Sequence, residues 1–212
     1  MPILYDNSES GNGHKVRLLL SLLGQSGIKW PLEVIQKDIH AGETRTPDFL
    51  ALNPDGRIPL LQLDDGRCLP ESNAILCYLA AGTPFLPEDR FAHAQVMAWL
   101  FWEQYSHEPT IAVARFWCHH LEMTAARKEL LAERQEKGHA ALKLMDTHLA
   151  GTDWLVGDGP TIADIALYSY SSVSEEGAIA RDAYPSLQAW LARIEALPGF
   201  IAMDPWVPPA TG

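Results

Sequence analysis

The sequence changes character near residue 82, and no other feature constrains the possible folds as strongly. Before that point, short runs of strand-forming residues alternate with segments of helical periodicity in the order βαβαββα. Beyond it, apolar residues recur mainly at helical spacing. The pattern predicts an α/β domain over residues 1–81, a proline-punctuated linker over 82–88 and an all-helical domain over 89–212.

The first half carries the signals of a small mixed sheet. The turn Asp64-Asp65-Gly66 joins two strand-like runs and predicts an antiparallel hairpin. The earlier runs are connected through helices and should therefore be parallel. Expected strands span residues 3–5, 30–35, 58–63 and 67–69, and expected helices span 14–26, 46–52 and 72–81.

The second half is predicted to be a helical bundle. Expected helices span residues 88–107, 109–120, 123–149, 161–174 and 185–197. The fourth of them begins with the segment Thr161-Ile162-Ala163-Asp164, in which the threonine hydroxyl and the aspartate carboxylate are spaced for reciprocal capping of the helix. We expect this capping box to be structural.

Composition limits the classes of partner and the location. The chain has 16 basic and 27 acidic residues and a net charge of -11, so its overall field disfavours nucleic acid and anionic membranes. The three cysteines, Cys68, Cys77 and Cys118, have neither disulfide-framework nor zinc-ligand spacing. The first residues lack the features of a signal peptide, and no apolar run reaches ~18 residues. We expect a cytoplasmic protein.

Pro59 marks the start of the third predicted strand. Because proline has no N–H for a strand ladder, the stretch 53–59 is predicted to be a turn followed by incompletely paired backbone. If the Ile58-Pro59 bond is cis, the amide and carbonyl of Ile58 can face a ligand. Glu71 and Ser72 open a helix just beyond the hairpin. Together these segments indicate a place where a small peptide could lie along exposed backbone.

Four motifs in a fixed order carry a resemblance to a known family. They are Ser10-Gly11-Asn12-Gly13-His14-Lys15-Val16, the stretch 49–54 leading to Ile58-Pro59, Glu71-Ser72-Asn73-Ala74-Ile75, and Thr161-x-x-Asp164. With this set, the chain resembles a soluble glutathione transferase over nearly its whole length. The resemblance implies a thioredoxin-like N-terminal domain, an all-α C-terminal domain, glutathione as co-substrate and a homodimer.

The resemblance also implies roles for individual residues. In such enzymes the residue before the cis-proline pairs its backbone with the cysteinyl part of glutathione, a role that falls to Ile58. Ser72 corresponds to the serine that meets the γ-glutamyl carboxylate at a helix start. Glu71 would meet the γ-glutamyl ammonium. The glycine carboxylate needs a donor from the opposite side. Candidates for that donor are Lys37, His40 and Arg57.

The thiol of glutathione needs activation, because its reference pKa of about 8.5 leaves only a small fraction as thiolate at neutral pH. Ser10 has the position of the catalytic serine in theta- and zeta-type transferases, although the zeta-type Ser-Ser-Cys-Ser string is absent. The segment also resembles the Thr-Pro-Asn-Gly motif of Nu-class transferases, in which Asn12 and Gly13 match and Gly11 departs. Ser10 and Asn12 therefore both remain candidates for contact with the sulfur.

The second substrate, a hydrophobic electrophile, is expected to meet the helical half. Aromatic residues are frequent between residues 99 and 117, and most of them are expected to pack in the core. Candidates for an electrophile pocket lie near the ends of the first two long helices. They are Tyr105, His107, Arg115 and Phe116. The histidines lack compact ligand spacing, so no metal site is predicted.

Three functions are compatible with this sequence. We favour a glutathione transferase in which Ser10, helped by Asn12 and the N-terminus of the first helix, stabilises the thiolate. The alternative favoured by the segment Asn12-Gly13-His14-Lys15 is a glutathione-dependent disulfide reductase of the Nu type. The third possibility keeps the fold as a ligand-binding or protein-assembly module without useful turnover.

Overall fold

A computed structural model of the chain describes residues 1–203. The chain forms two compact units. The first contains Met1–Ala81 and the segment that begins at Leu197, and the second contains Gly82–Ala196. Within the described residues, no helix is both long and apolar enough to cross a membrane.

The first unit is a mixed sheet flanked by helices. Its elements in chain order are β1 (Ile3–Asp6), α1 (Gly11–Gln25), β2 (Glu33–Gln36), α2 (Pro47–Leu52), β3 (Leu60–Gln62), β4 (Cys68–Pro70) and α3 (Ser72–Ala80). A short 3₁₀ turn over Glu43–Arg45 precedes α2. The order confirms the predicted thioredoxin-like βαβαββα fold.

The strands of the first unit lie in the order β2-β1-β3-β4. β1 is parallel to β2, whereas β3 is antiparallel to both β1 and β4. The predicted hairpin and the predicted parallel pair are therefore confirmed. Gly66 turns the hairpin with a φ of 85°, a left-handed conformation that favours glycine. Apolar side chains from the strands and helices fill the core, among them Leu4, Val16, Leu19, Leu60, Ile75 and Leu79.

The segment after Leu197 returns to α1. Ser21 Oγ donates a hydrogen bond to the carbonyl oxygen of Gly199 at 2.6 Å, and His14 Nε2 lies 2.9 Å from the carbonyl oxygen of Ile201. A Cβ at residue 199 would lie 2.9 Å from Gln25 Cβ, so this close approach requires glycine. The C-terminal part of the described chain thus braces the helix on which the predicted thiol site lies.

The second unit is all-helical, as predicted. Its helices are α4 (Arg90–Trp102), α5 (Glu108–His120), α6 (Ala125–Leu149), α7 (Ile162–Ser171) and α8 (Pro185–Glu195). A π-helical turn, Glu103–His107, connects α4 to α5. Pro109 follows this turn and cannot donate to a carbonyl one helical turn earlier, which accounts for the irregular hydrogen bonding there. α7 is buried along its whole length.

The predicted capping box of α7 is confirmed and is part of a larger cluster. Asp164 is fully buried, and its Oδ2 accepts from Thr161 N at 2.8 Å and Thr161 Oγ1 at 3.0 Å. Its Oδ1 accepts from Leu155 N at 3.0 Å and from Trp190 Nε1 at 2.9 Å. Burial raises the pKa of Asp164, while these four donors oppose the rise. The carboxylate joins α7 to α8 and to the preceding loop.

Several predicted boundaries were displaced at prolines and caps. β2 begins at Glu33 and not at residue 30, because Pro31 cannot donate to the ladder. For the same reason β3 begins at Leu60, just after Pro59. α4 begins at Arg90 because Asp89 caps it, accepting from Phe91 N and Ala92 N at 3.0 and 2.8 Å.

Candidate functional site

Arg17 fixes the loop between β1 and α1. Its guanidinium forms an ion pair with the fully buried Asp6. It also donates hydrogen bonds to the carbonyl oxygens of Asn7 at 3.3 Å and Ser8 at 2.7 Å. Hydrogen bonds from a charged donor are stronger than neutral ones, so the backbone that leads to Ser10 is held in one conformation.

The same loop is tied to the end of β2. Asn7 Nδ2 donates to the carbonyl oxygen of Lys37 at 3.1 Å, and Asn7 Oδ1 accepts from Glu9 N at 3.0 Å. Ser8 N donates to Gln36 Oε1 at 2.9 Å. The loop is therefore anchored on both sides before the chain enters α1.

Gly13 allows the first turn of α1 to approach β1. A Cβ at this position would overlap the carboxylate of Asp6. The carboxylate of Asp6 cannot move aside freely because it is buried and paired with Arg17. Gly13 of the predicted motif is thus required by packing against Asp6.

Ser10 is the N-cap of α1. Its backbone is extended, with φ -76° and ψ 122°, and its Oγ accepts a hydrogen bond from Gly13 N at 3.2 Å. A serine hydroxyl has one proton to donate in addition to its acceptor sites. Because the capping bond uses Oγ as an acceptor, the hydroxyl proton can be donated to a ligand beside the helix start.

Asn12 is the centre of a polar cluster that joins α1 to α3. Its Oδ1 accepts from Lys15 Nζ at 2.6 Å and from Ser72 Oγ at 3.1 Å. Lys15 is fully buried, and Ser72 is 5% exposed. The structure therefore brings together two of the predicted site residues, Asn12 and Ser72, which are 60 positions apart in the sequence.

The turn before β3 presents the backbone of Ile58. The Ile58-Pro59 peptide bond is cis. Asn53 Nδ2 donates to the carbonyl oxygen of Arg57 at 2.8 Å and holds the turn from within. Among the described residues, no hydrogen bond occupies the amide or the carbonyl of Ile58, and strand pairing begins only at Leu60.

Glu71 and Ser72 form the start of α3. Glu71 is exposed and has φ 71° and ψ 115°, and a positive φ is uncommon for a residue with a side chain. Such conformations cluster at ligand sites, where the surrounding structure maintains them. Ser72 is the first residue of the nine-residue helix, so its backbone amide belongs to the set that can face an anion.

The three candidates for the glycine carboxylate lie on different segments of the first unit. Lys37 follows β2, with its Nζ 5.9 Å from the ring centroids of both Tyr5 and Phe49. His40 is exposed, and Arg57 is exposed with its Nε 2.9 Å from Asp55 Oδ2. The backbone amides of Ala41 and His40 lower the pKa of Asp38 in the intervening loop.

The four predicted electrophile contacts have different environments in the second unit. Tyr105 is 88% exposed and lines a cavity of about 490 Å³ with Trp102 and Leu144. His107 is fully buried, and its Nε2 lies 2.8 Å from Ser171 Oγ.

Arg115 and Phe116 occupy neighbouring but distinct surroundings on α5. Arg115 is buried, and its Nε pairs with Glu176 Oε2 at 2.6 Å. His119 Nε2 lies 3.0 Å from the same carboxylate oxygen. Phe116 is 39% exposed and packs beside His120 with a centroid distance of 4.9 Å. Of the four candidates, Tyr105 is the one that the structure leaves most open to a ligand.

Burial leaves the cysteines unactivated. Partial burial raises the pKa of the thiols of Cys68 and Cys77, and desolvation also raises that of Cys118, which is an exposed residue, so none has the lowered pKa of a reactive thiol. In the described part of the chain, no cluster of three or more histidine, cysteine or acidic side chains could hold a metal ion.

Sequence reasoning did not identify the roles of Asp6, Lys15 and Arg17, or the backbone conformation of Glu71. The pair Asn12 and Lys15 carried a signal, because residues three apart share a helix face. The Asp6 and Arg17 pair had no signal of this kind, since it joins a strand to a helix across a loop.

Family models match most of the chain. The model described as "Glutathione S-transferase, N-terminal domain" matches residues 2–81, and the model described as "Glutathione S-transferase, C-terminal domain" matches residues 93–198. The structure is similar to that of a glutathione S-transferase from Pseudomonas fluorescens, with a TM-score of 0.90 and 44% identity over 95% of this chain and 98% of that chain.

Two further relatives have names that describe different functions, an isomerase and a transcriptional regulator. Maleylacetoacetate isomerase of Pseudomonas aeruginosa is 30% identical over 98% of this chain and 98% of that protein. Transcriptional regulator URE2 of Saccharomyces cerevisiae is 31% identical over 93% of this chain, which spans 66% of the length of that protein. The solved structure of Ure2p in complex with glutathione has a TM-score of 0.80 and 26% identity, over 93% of this chain and 90% of that chain.

Proposed function

The chain belongs to the glutathione S-transferase family, and from this premise we propose that it binds glutathione and activates the thiol for attack on a hydrophobic electrophile. The observation that carries the proposal is the hydrogen bond from Ser72 Oγ to Asn12 Oδ1 at 3.1 Å. It links the start of α3, a site for the γ-glutamyl carboxylate, to the start of α1, a site for the thiol. The complex of Ure2p with glutathione supports the choice of ligand.

Backbone groups supply the first part of the proposed binding site. The unpaired amide and carbonyl of Ile58 would bond to the cysteinyl unit, as an added strand bonds to an exposed edge. Ser72 and the N-terminus of α3 would bind the γ-glutamyl carboxylate, because unpaired amides and the helix dipole favour an anion. The exposed carboxylate of Glu71 would pair with the γ-glutamyl ammonium.

A cationic or titratable side chain is needed for the glycine carboxylate. Lys37, His40 and Arg57 remain the proposed donors, and each lies in a loop or at an element end of the first unit. His40 and Arg57 are exposed, which implies modest individual contributions, since solvent screens exposed ion pairs to about 0.2–1 kcal/mol. Lys37 is half-buried.

A hydrogen-bond donor and the helix N-terminus at the start of α1 can together supply the free energy needed to activate the thiol. Lowering its pKa from about 8.5 by ~2 units requires roughly 2.7 kcal/mol of preferential stabilisation of the thiolate. A hydrogen bond donated to a charged group contributes ~1.5–3 kcal/mol, and a helix N-terminus adds ~0.3–1 kcal/mol. One well-placed donor at the start of α1 is therefore sufficient with help from the helix.

Ser10 and Asn12 are the proposed donors. The capping bond leaves the Ser10 hydroxyl proton for the sulfur, which is the arrangement implied by a theta- or zeta-like site. The Asn12 oxygen accepts two donors, which favours use of its NH₂ group toward the ligand, as in a Nu-like site. We propose that Ser10 is the main hydrogen-bond donor to the thiolate and that Asn12 assists it.

The second substrate is proposed to contact side chains of the helical unit. Among Tyr105, His107, Arg115 and Phe116, the solvent-exposed Tyr105 is the strongest candidate. A zeta-like isomerase activity has the support of the isomerase relative but lacks the Ser-Ser-Cys-Ser string. Transfer to an electrophile is therefore preferred to isomerisation.

Two other functions have specific support. The central place of Asn12 in the polar cluster favours a glutathione-dependent disulfide reductase. The relative named transcriptional regulator URE2 favours a binding or assembly role without turnover. For each of these functions we propose a cytoplasmic homodimer. The cytoplasmic location is proposed because Cys68, Cys77 and Cys118 form no disulfide, and the homodimer is proposed from the family.

The proposed function can be tested by ultraviolet titration of the thiol of bound glutathione. Ser10→Ala and Asn12→Ala should each raise the thiol pKa, by about one unit or more for the dominant donor. Ser8→Ala is the matched control, because this nearby serine does not cap α1 and should leave the pKa unchanged. A pKa that neither substitution raises would overturn the assignment of the activating groups.

Binding and chemistry are tested separately. Calorimetry should detect glutathione uptake at millimolar concentration or below, and its absence would refute the whole proposal. Conjugation of an aryl halide supports the transferase. Steady reduction of a mixed disulfide without conjugation supports the reductase. Tight binding with no change in thiol pKa supports the non-catalytic role.

A further inference from the structure

Lys15 is a buried cation at the edge of the proposed thiol site. Its side chain is fully buried in the first turns of α1, and its Nζ lies 2.6 Å from Asn12 Oδ1. A buried ammonium is unfavourable unless it is paired or hydrogen-bonded. A lysine at this position therefore has a structural penalty that the contact with Asn12 helps to offset.

The contact determines which way the Asn12 amide faces. An ammonium group has three donors and no acceptor, so it can meet only the oxygen of the amide. Ser72 Oγ lies 3.1 Å from the same oxygen. Because the oxygen and nitrogen of an amide point in different directions from one carbon, the Asn12 NH₂ group is directed away from Lys15 and Ser72.

Binding of glutathione would change this arrangement at Ser72. A serine hydroxyl has a single proton to donate. If Ser72 donates that proton to the γ-glutamyl carboxylate, it can no longer donate it to Asn12. Lys15 then becomes the donor that keeps the Asn12 oxygen in place while the ligand is bound.

We propose that Lys15 is a positioning residue that holds the Asn12 amide, so that its NH₂ group remains directed at the thiol when Ser72 turns to the ligand carboxylate. This inference rests on the proposed function for the identity of the ligand. It explains why a charged side chain occupies a buried place beside the cap of α1, and it couples the carboxylate site to the thiol site through one shared oxygen.

The test is a double-mutant cycle on the pKa of the thiol of bound glutathione. Lys15→Met should raise this pKa by about one unit. At a pH below the wild-type pKa, kcat should therefore fall about tenfold, with a change in the KM for glutathione of less than about threefold. In an Asn12→Ala background the same substitution should have no further effect. Lys29→Met, which removes an exposed lysine of the same unit, is the control for net charge.

Two outcomes of the cycle would overturn the proposal. An unchanged thiol pKa in Lys15→Met would show that Lys15 is not required to orient the Asn12 amide. An equal rise in the presence and absence of Asn12 would show that the ammonium acts directly on the thiolate by its charge.

A measurement without glutathione separates this inference from the proposed function. In the ligand-free protein, the NMR chemical shifts of the Asn12 side-chain amide should change in Lys15→Met and should be unchanged in Lys29→Met. If the wild-type protein takes up no glutathione, the proposed function fails, and this comparison still decides whether Lys15 holds Asn12.

A crystal structure of the wild-type protein with glutathione covers the case in which Lys15→Met does not fold. The expected structure retains the contact between Lys15 Nζ and Asn12 Oδ1 while Ser72 Oγ bonds to the ligand carboxylate. The proposal would be refuted by a structure in which Ser72 Oγ still donates to Asn12 Oδ1. It would also be refuted by a structure in which Lys15 Nζ no longer contacts Asn12 Oδ1.

Discussion

The starts of α1 and α7 use the same capping chemistry with different outcomes. At α7, Thr161 and Asp164 cap each other's backbone, and both are buried. At α1, Ser10 caps Gly13, but no carboxylate reaches back, because the third residue of the helix is a glycine. The α7 start is thus a closed cluster, whereas the capping residue of α1, Ser10, is only half-buried.

The difference shows what separates a structural cap from a functional one. All four acceptor contacts of Asp164 go to groups of its own unit, so nothing remains for a ligand. At α1, the rigid parts are Asp6 and Arg17 behind the helix, and the capping residue itself is only partly covered. A firmly held backbone with an available hydroxyl is what a binding site requires.

The largest expected effect lies at the closed cluster. Asp164→Ala leaves four donors without their acceptor, including Thr161 N and Trp190 Nε1, and should lower the free energy of unfolding by roughly 3–5 kcal/mol. Denaturant unfolding followed by tryptophan fluorescence measures the loss. Asp158→Ala, at an exposed position in the preceding loop, is the control and should change stability by less than about 0.5 kcal/mol. Equal stability of the two variants would refute the closed-cluster interpretation.

The next effect concerns the close approach behind α1. Gly13→Ala places a methyl group against Asp6 and should destabilise the protein by about 1–3 kcal/mol, with weaker glutathione binding. Gly24→Ala, in the same helix with nothing within 4 Å of the added carbon, should instead stabilise it by about 0.5–1 kcal/mol. Melting temperatures and calorimetric titrations give both quantities. If Gly13→Ala and Gly24→Ala have the same stability and the same affinity for glutathione, close packing against Asp6 does not explain why residue 13 is a glycine.

Much of the fold was predictable because it depends on local patterns. The hairpin follows from Asp64-Asp65-Gly66, and the start of α7 follows from the spacing of Thr161 and Asp164. The boundaries that moved, at Pro31 and Pro59, lie where local strand preference conflicts with a missing backbone donor.

The candidate site was predictable only in part. Its motifs indicated Ser10, Asn12 and Ser72, but the bond between Asn12 and Ser72 joins residues 60 positions apart and depends on how α1 and α3 pack. Lys15 was overlooked for a different reason. Lysines are mostly exposed, so sequence periodicity alone assigns a lysine to the surface unless its partner is known.

A smaller effect separates the two roles of Ser10. Ser10→Ala should lower stability by about 1 kcal/mol, whereas Ser10→Gly should lower it by only a few tenths, roughly 0.3 kcal/mol, because glycine is a tolerated cap. Both variants lack the hydroxyl, so both should raise the pKa of the bound thiol equally. Chemical denaturation and ultraviolet titration of the same preparations make the comparison. Recovery of the thiol pKa in Ser10→Gly would mean that Ser10 acts only as a cap.

The smallest effect is expected at the proposed donors for the glycine carboxylate. Arg57→Ala should raise the KM for glutathione by no more than about fivefold and leave kcat unchanged, since exposed charge pairs contribute about 0.2–1 kcal/mol. Lys37→Ala and His40→Ala provide parallel measurements. The ligand γ-glutamylcysteine, which lacks the glycine carboxylate, identifies the true partner, because the responsible variant should bind this dipeptide as well as the wild-type protein does. A variant that weakens both ligands equally acts through the surrounding loop and not through the carboxylate, and this outcome would remove its residue from the proposed site.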